Sequence, residues 1–121
     1  MKHVFITGTD TGIGKTITSA WLCQHWQADY WKPVQSGLED GTDSELVSRL
    51  SGARAHPETW RLTQPLSPHQ SADLDGVKIQ LTDFTKPQAE RLVVEGAGGC
   101  MVPLNWRDTM LDLMKHLNSC A

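Results

Sequence analysis

The chain has 121 residues, enough for one small domain with a buried core. Its 11 basic and 14 acidic side chains leave a formal net charge of −3, which offers no electrostatic attraction for nucleic acid or an anionic membrane surface. No apolar run reaches the length of a membrane span, the opening strand lacks a signal-peptide cleavage site, and Cys23, Cys100 and Cys120 form no C-x-x-C pair. A cytoplasmic protein without a zinc site or disulfide framework is expected.

Residues 3–7 carry Val4, Phe5, Ile6 and Thr7, a short run of β-branched and aromatic residues that reads as a strand. The strand enters a glycine-rich turn ending Gly14-Lys15-Thr16, after which Ile17, Ala20, Trp21 and Leu22 are available to pack as a helix. Such a turn offers backbone N–H groups and the positive end of a helix to phosphate oxygens. Lys15 would reach the terminal phosphates and the Thr16 hydroxyl would ligate magnesium. The usual spacing G-x-x-x-x-G-K-[ST] puts a glycine at position 9; here Thr9 stands there with Gly8 before it, so the loop is a variant. The plain alternative is a glycine-rich turn with no ligand.

The first helix is expected to end near Gln27, and residues 29–35 to form a second strand with its carboxyl end at Pro33. Lys32 then stands at a strand tip. Ligands in open α/β sheets bind beyond the carboxyl ends of the strands, and Pro33 and Gly37 shape the backbone so as to aim Lys32 and Ser36 there. Leu46, Val47 and Leu50 predict a second helix over residues 43–50, capped by Thr42 or Asp43 and closed at Gly52. Residues 53–76, with Pro57, Pro65, Pro68 and a Ser67-Pro68-His69 turn, read as a long, mostly irregular connection of the kind that often carries function. Leu92, Val93 and Val94 predict a third strand over residues 91–95, ending at Glu95 and followed by Gly96, Ala97, Gly98 and Gly99. Met110, Leu113, Met114 and Leu117 mark one face of a last helix begun near Asp108. The three strands would make a parallel sheet with an open edge.

Asp43 and Glu95 are candidates to complete a magnesium site with Thr16, because Mg²⁺ prefers oxygen ligands and takes one or two carboxylates besides phosphate. Asp43 alone reads more readily as a helix cap. Glu95, wedged between an apolar strand and four small residues, must lose its water and so needs a partner, which favours a ligand role. His69 reads as exposed or locally hydrogen-bonded rather than catalytic. The five tryptophans show no spacing that would stack successive bases, and core packing accounts for most of them.

Taken in order, GTDTGIGKT, KPVQSG, Asp43, SPHQSA and VEGAGGCMVPL resemble the dethiobiotin synthetase family. The resemblance implies a Rossmann-like P-loop α/β fold with a parallel sheet flanked by helices. It covers residues 1–121 as a single nucleotide-binding domain matching about the N-terminal half of a typical member, without the later strands and the base-recognising segment. The implied reaction uses ATP and Mg²⁺ and acts on 7,8-diaminononanoate: an amine captures CO₂ as a carbamate, ATP phosphorylates it, and the second amine closes the ureido ring. Lys32, Lys15 and Thr11 form the implied catalytic set. Gly12, Ile13, Gly14, Lys15, Thr16 and Ile17 would hold ATP, and Ser36 would contact the substrate. Thr16, Asp43 and Glu95 would ligate magnesium, while Gly96, Ala97 and Gly98 would line the crevice with Thr11. A homodimer or a complementary chain is the implied partner. Two other readings stand beside this one: a non-catalytic remnant or subunit that only binds nucleotide, and a partitioning-type ATPase switch. The switch usually carries a further lysine early in the loop, where this chain has Thr9, Asp10 and Thr11.

Overall fold

The computed structural model describes residues 2–8 and 13–119. Strand β1 (Lys2–Gly8) leads to helix α1 (Ile13–Trp26), then come β2 (Asp29–Trp31), β3 (Val34–Ser36), α2 (Asp43–Ser51), β4 (Ala55–His56), β5 (Trp60–Leu62), α3 (Pro68–Asp75), β6 (Arg91–Gly99) and α4 (Met110–Ser119). Among the described residues, the main sheet has four parallel strands in the order β1-β6-β2-β4, and β3 and β5 form a second parallel pair. The sheet therefore has one strand more than the three predicted, because β4 lies beside β2 and pairs Tyr30 with Ala55 and Trp31 with His56.

Alternation along the strands sorts the core into two layers. Leu92 and Val94 of β6 and Trp31 of β2 point to one face, where they meet Met110, Leu113 and Leu117 of α4. Val93 and Tyr30 point to the other face and meet Ala20 and Cys23 of α1 and Val47 of α2. Of the stripe predicted for the last helix, Met110, Leu113 and Leu117 close the first layer, while Met114 is half-buried and lies outside that cluster. Parity also carries the polar residues, since Lys32 follows Tyr30 by two and Glu95 follows Val93 by two, onto the α1 and α2 face.

Local chemistry sets the helix ends. Gln27, with φ of 53°, turns the chain out of α1, and the Ala28 N–H closes onto the Cys23 carbonyl at 2.9 Å. Thr42 caps α2, its hydroxyl accepting the Glu45 N–H at 3.2 Å, and Gly52 ends that helix in the left-handed region. At α4, Thr109 and Asp112 bond reciprocally: the Asp112 carboxylate accepts the Thr109 N–H at 2.8 Å and its hydroxyl at 3.1 Å. These two bonds hold the Asp112 carboxyl below the usual carboxylate range. A carboxyl whose folded value is depressed adds stability above its unfolded value, and that contribution disappears as pH falls through the folded value. Thr109→Ala is therefore expected to lower stability at neutral pH and to flatten the loss on acidification. Urea midpoints followed from pH 7 down to about pH 3 check this, and parallel curves for the two proteins would refute it.

Three predicted segments differ from the structure. Strand β6 does not stop at Glu95 but continues through the small residues to Gly99. Residues 29–35 are two strands in two sheets, broken at Lys32 and Pro33; Pro33 has no N–H to donate, and its carbonyl takes the Trp60 N–H at 3.0 Å. Residues 53–76 hold β4, β5 and α3 where an irregular connection is predicted. Pro68 opens α3 at its first turn, where the missing N–H costs nothing, so the Ser67-Pro68-His69 sequence is a helix start. Of the tryptophans, Trp31 is fully buried and Trp26 and Trp60 pack against the two cores, whereas Trp21 and Trp106 are exposed.

Candidate functional site

At the carboxyl end of β2 and along the second half of β6 lies a cleft of about 700 Å³. Lys15, Thr16, Lys32, Ser36, Asp43 and Glu95 all line it, as do residues 65–68. The long middle segment therefore serves the cleft, although as structured backbone.

At the centre stands Glu95, 1% exposed, which has the partners that its burial demands. Its Oε2 accepts the Thr16 hydroxyl at 3.2 Å and the Lys32 ammonium at 3.1 Å, and its Oε1 accepts the Tyr30 phenol at 3.0 Å. The Lys32 ammonium also meets Asp43 Oδ2 at 2.6 Å. One cationic group thus spans two carboxylates that are 52 residues apart in sequence, as the numbers 43 and 95 give. Asp43 is the first residue of α2 and not its cap; Thr42 caps, which leaves the Asp43 carboxylate free to face Lys32. Gln35, 6% exposed, fixes that helix start by accepting the Asp43 N–H at 3.1 Å while donating to the Ser36 and Gly37 carbonyls.

The Lys15 ammonium donates to the Gly98 carbonyl at 2.8 Å, which brings the end of β6 to the start of α1. Ser36 Oγ is buried beside the cleft and has no hydrogen-bond partner among the described residues. Ala97 and Gly98 line the cleft, whereas Gly96 lies against Phe5 and Met110 on the core side. Ile17 is 46% exposed on α1 and does not line the cleft. The backbone of Ile13 and Gly14 begins α1; Thr11 and Gly12, with the Thr9 variation, lie outside the described residues.

Sequence reasoning missed the role of Tyr30 and placed Gln35 only in a turn facing the crevice, without its contact to the start of α2. Burial first, then the charge of Glu95, raises the Tyr30 phenol far above its ordinary value, so it stays a donor to the carboxylate. The signal was available: Tyr30 and Lys32 are two apart on one strand and share a face. Cys23 is buried and its thiol is pushed up to about 12, by burial first and then by Asp29 and Glu95. That is an inert thiol. His69 bonds the Ser67 hydroxyl at 3.0 Å and stands edge-on to Trp106 of a distant loop.

As a donor set, a threonine hydroxyl and two carboxylates are all hard oxygen ligands, the kind that Mg²⁺ takes together with phosphate and water. Among the described residues, no group of three or more His, Cys, Asp or Glu could hold a metal ion by itself, so a metal here would need other oxygens as well. No helix among them is long and apolar enough to cross a membrane.

A parallel sheet flanked by helices, with a lysine and a threonine at the start of the helix after β1 and a buried carboxylate in the middle of the neighbouring strand, defines a P-loop nucleotide-binding fold. The AAA domain family profile matches residues 2–120, and the chain belongs to that family. It is 54% identical over 120 residues to an ATP-dependent dethiobiotin synthetase of Paramagnetospirillum magneticum, an alignment covering 98% of this chain and 58% of that protein. Proteins of the same name from Sphingopyxis alaskensis and Brucella ovis are 53% and 56% identical over 113 and 116 residues, each alignment covering 93% of this chain and 55% of the relative. The chain thus spans little more than half the length of these relatives.

Proposed function

We propose that the chain is a single nucleotide-binding domain that supplies the ATP, Mg²⁺ and carbamate-handling site of a dethiobiotin synthetase. The observation that carries this reading is the buried cluster of Thr16, Lys32, Asp43 and Glu95, set in a cleft that Lys15 and Ser36 also line. Nearly the whole chain is 53–56% identical to relatives that bear this enzyme's name. In the proposed reaction, 7,8-diaminononanoate takes up CO₂ as a carbamate, ATP phosphorylates the carbamate, and the second amine closes the ureido ring with release of phosphate. Mg²⁺, held by Thr16, Asp43 and Glu95, would neutralise charge on the phosphates.

The chain's own residues divide the remaining work. Lys15 and the loop N–H groups bind the phosphates, and Thr11 and Ser36 orient the substrate. Lys32 places its ammonium against the charge of the carbamate and the transferring phosphoryl group, where a fixed cation lowers the barrier without moving a proton. Asp43 and Glu95 hold that ammonium in place through two short contacts. The same reading carries a cytoplasmic enzyme that pairs with a second copy of itself or with a complementary chain.

Phosphate release by the chain with Mg-ATP and bicarbonate, with and without diaminononanoate, tests the proposal, with Lys15→Ala as control. Release that depends on diaminononanoate and falls to background in Lys15→Ala is the expected result. Hydrolysis indifferent to diaminononanoate would match a nucleotide switch instead, and saturable nucleotide binding without release would match a binding-only domain.

A further inference from the structure

We propose that Tyr30 is a positioning residue that fixes the orientation of the Glu95 carboxylate, committing Oε1 to the sheet so that Oε2 faces the cleft; this rests on the reading of Glu95 as a magnesium ligand. Tyr30 is fully buried in β2 and does not line the cleft, so any effect it has on the site passes through Glu95. Its phenol donates to Oε1 at 3.0 Å, while Oε2 receives Thr16 and Lys32 at 3.2 and 3.1 Å. The two oxygens therefore have separate tasks. A glutamate carboxylate turns freely about its last torsion, because that sp³–sp² rotation has broad minima. Holding one oxygen removes that freedom and aims the other.

The strand register makes the contact possible. Tyr30 pairs with Val93 across β2 and β6, and both side chains enter the α1 and α2 layer, which puts the phenol two residues before Glu95 on the same face. The Tyr30 ring packs with Ala20, Cys23, Val47 and Val93, so the ring fills the core and the hydroxyl alone reaches the carboxylate. Tyr30→Phe separates these two roles, since it keeps the ring and removes the donor.

The experiment is titration of the wild-type chain and Tyr30→Phe with Mn²⁺ in the presence of ADP, with free metal read by electron paramagnetic resonance and thermal midpoints recorded alongside. Loss of a partner that orients a metal ligand typically weakens metal affinity by about 10-fold to 100-fold, and a loss of that size is expected. Unchanged metal affinity in a folded Tyr30→Phe protein would overturn the inference and leave the functional reading intact. Absence of nucleotide-dependent Mn²⁺ binding in the wild type would overturn both. Because Tyr30 is the only tyrosine of the chain, a Cζ-labelled tyrosine gives a single NMR signal that needs no variant. With Mg²⁺ and ADP, that signal is expected to shift; a signal indifferent to saturating Mg²⁺ and ADP would count against the proposal even if Tyr30→Phe failed to fold.

Discussion

Lys32→Met is expected to lower both stability and activity. Lys32 is 5% exposed and its ammonium lies between Asp43 and Glu95, so the methionine would fill its volume without its charge. Breaking a buried ion pair by removing one partner costs about 3–5 kcal/mol, mostly because the surviving charge is left uncompensated. Glu95, 1% exposed, carries that penalty; the Asp43 side chain, 33% exposed, rehydrates and adds little. Thr16 and Tyr30 still donate to Glu95, which puts the expected loss at the lower end, about 3 kcal/mol. Under the proposed function, phosphate release falls as well, by about 10²–10³-fold, the usual cost of deleting one fixed charge-stabilising group.

Magnesium gives the same variant a second signature. In the wild type Lys32 and a metal ion would compete for the same carboxylate oxygens, whereas in Lys32→Met the carboxylates are left for the metal. A ligand that binds only the folded state stabilises it in proportion to its affinity, so Mg²⁺ should raise the urea midpoint of Lys32→Met more than that of the wild type. Urea unfolding with and without Mg²⁺ checks both statements. A variant as stable as the wild type, or one equally indifferent to Mg²⁺, would show that the cluster is not electrostatically coupled in this way.

What could be read from the sequence was local, and what could not was either very short or very distant. The strand, glycine turn and helix around Lys15 and Thr16 are contiguous, and their order alone points to phosphate. Glu95 was legible for a different reason, since an acid closing an apolar strand must find partners somewhere. The partners themselves were less so: Lys15 meets Gly98 across 83 residues and Tyr30 meets Glu95 across 65, and only the parallel register of β1, β6 and β2 brings them together. Strands β4 and β5 hold two and three residues, too few for alternation to be counted. The prolines misled in two opposite ways. Pro68 reads as a breaker but opens α3, and Pro33 reads as the end of one strand but marks the passage from one sheet to another. Gln35 lies in β3 just after that passage, and its role in holding the start of α2 depends on a contact with Asp43 eight residues on, which the strand pattern does not predict.

Gly98→Ala is expected to disrupt the fold and the site together, for reasons that can be measured separately. Gly98 adopts φ of 74°, a left-handed conformation that costs a residue bearing Cβ about 1–2 kcal/mol. A Cβ there would also lie 2.6 Å from Val102 Cγ2, closer than carbon atoms approach, and relieving such overpacking typically costs about 1–3 kcal/mol more. The combined loss, about 2–5 kcal/mol, is large for a surface turn but follows from a tight turn at the end of a buried strand. Val102→Ala in the same chain removes the clash and leaves the backbone strain, so the double variant should recover the steric share only. The position of the Gly98 carbonyl decides the functional part. It accepts the Lys15 ammonium at 2.8 Å, and a backbone shifted by the new methyl group would release that lysine from the end of β6. Nucleotide binding should then weaken in Gly98→Ala and return with Val102→Ala to the extent that the carbonyl returns. If urea midpoints showed Gly98→Ala to be as stable as the wild type, both the left-handed turn and the contact with Val102 would have to be discarded. If stability fell while nucleotide affinity held, the link between the Gly98 carbonyl and Lys15 would be the part that failed.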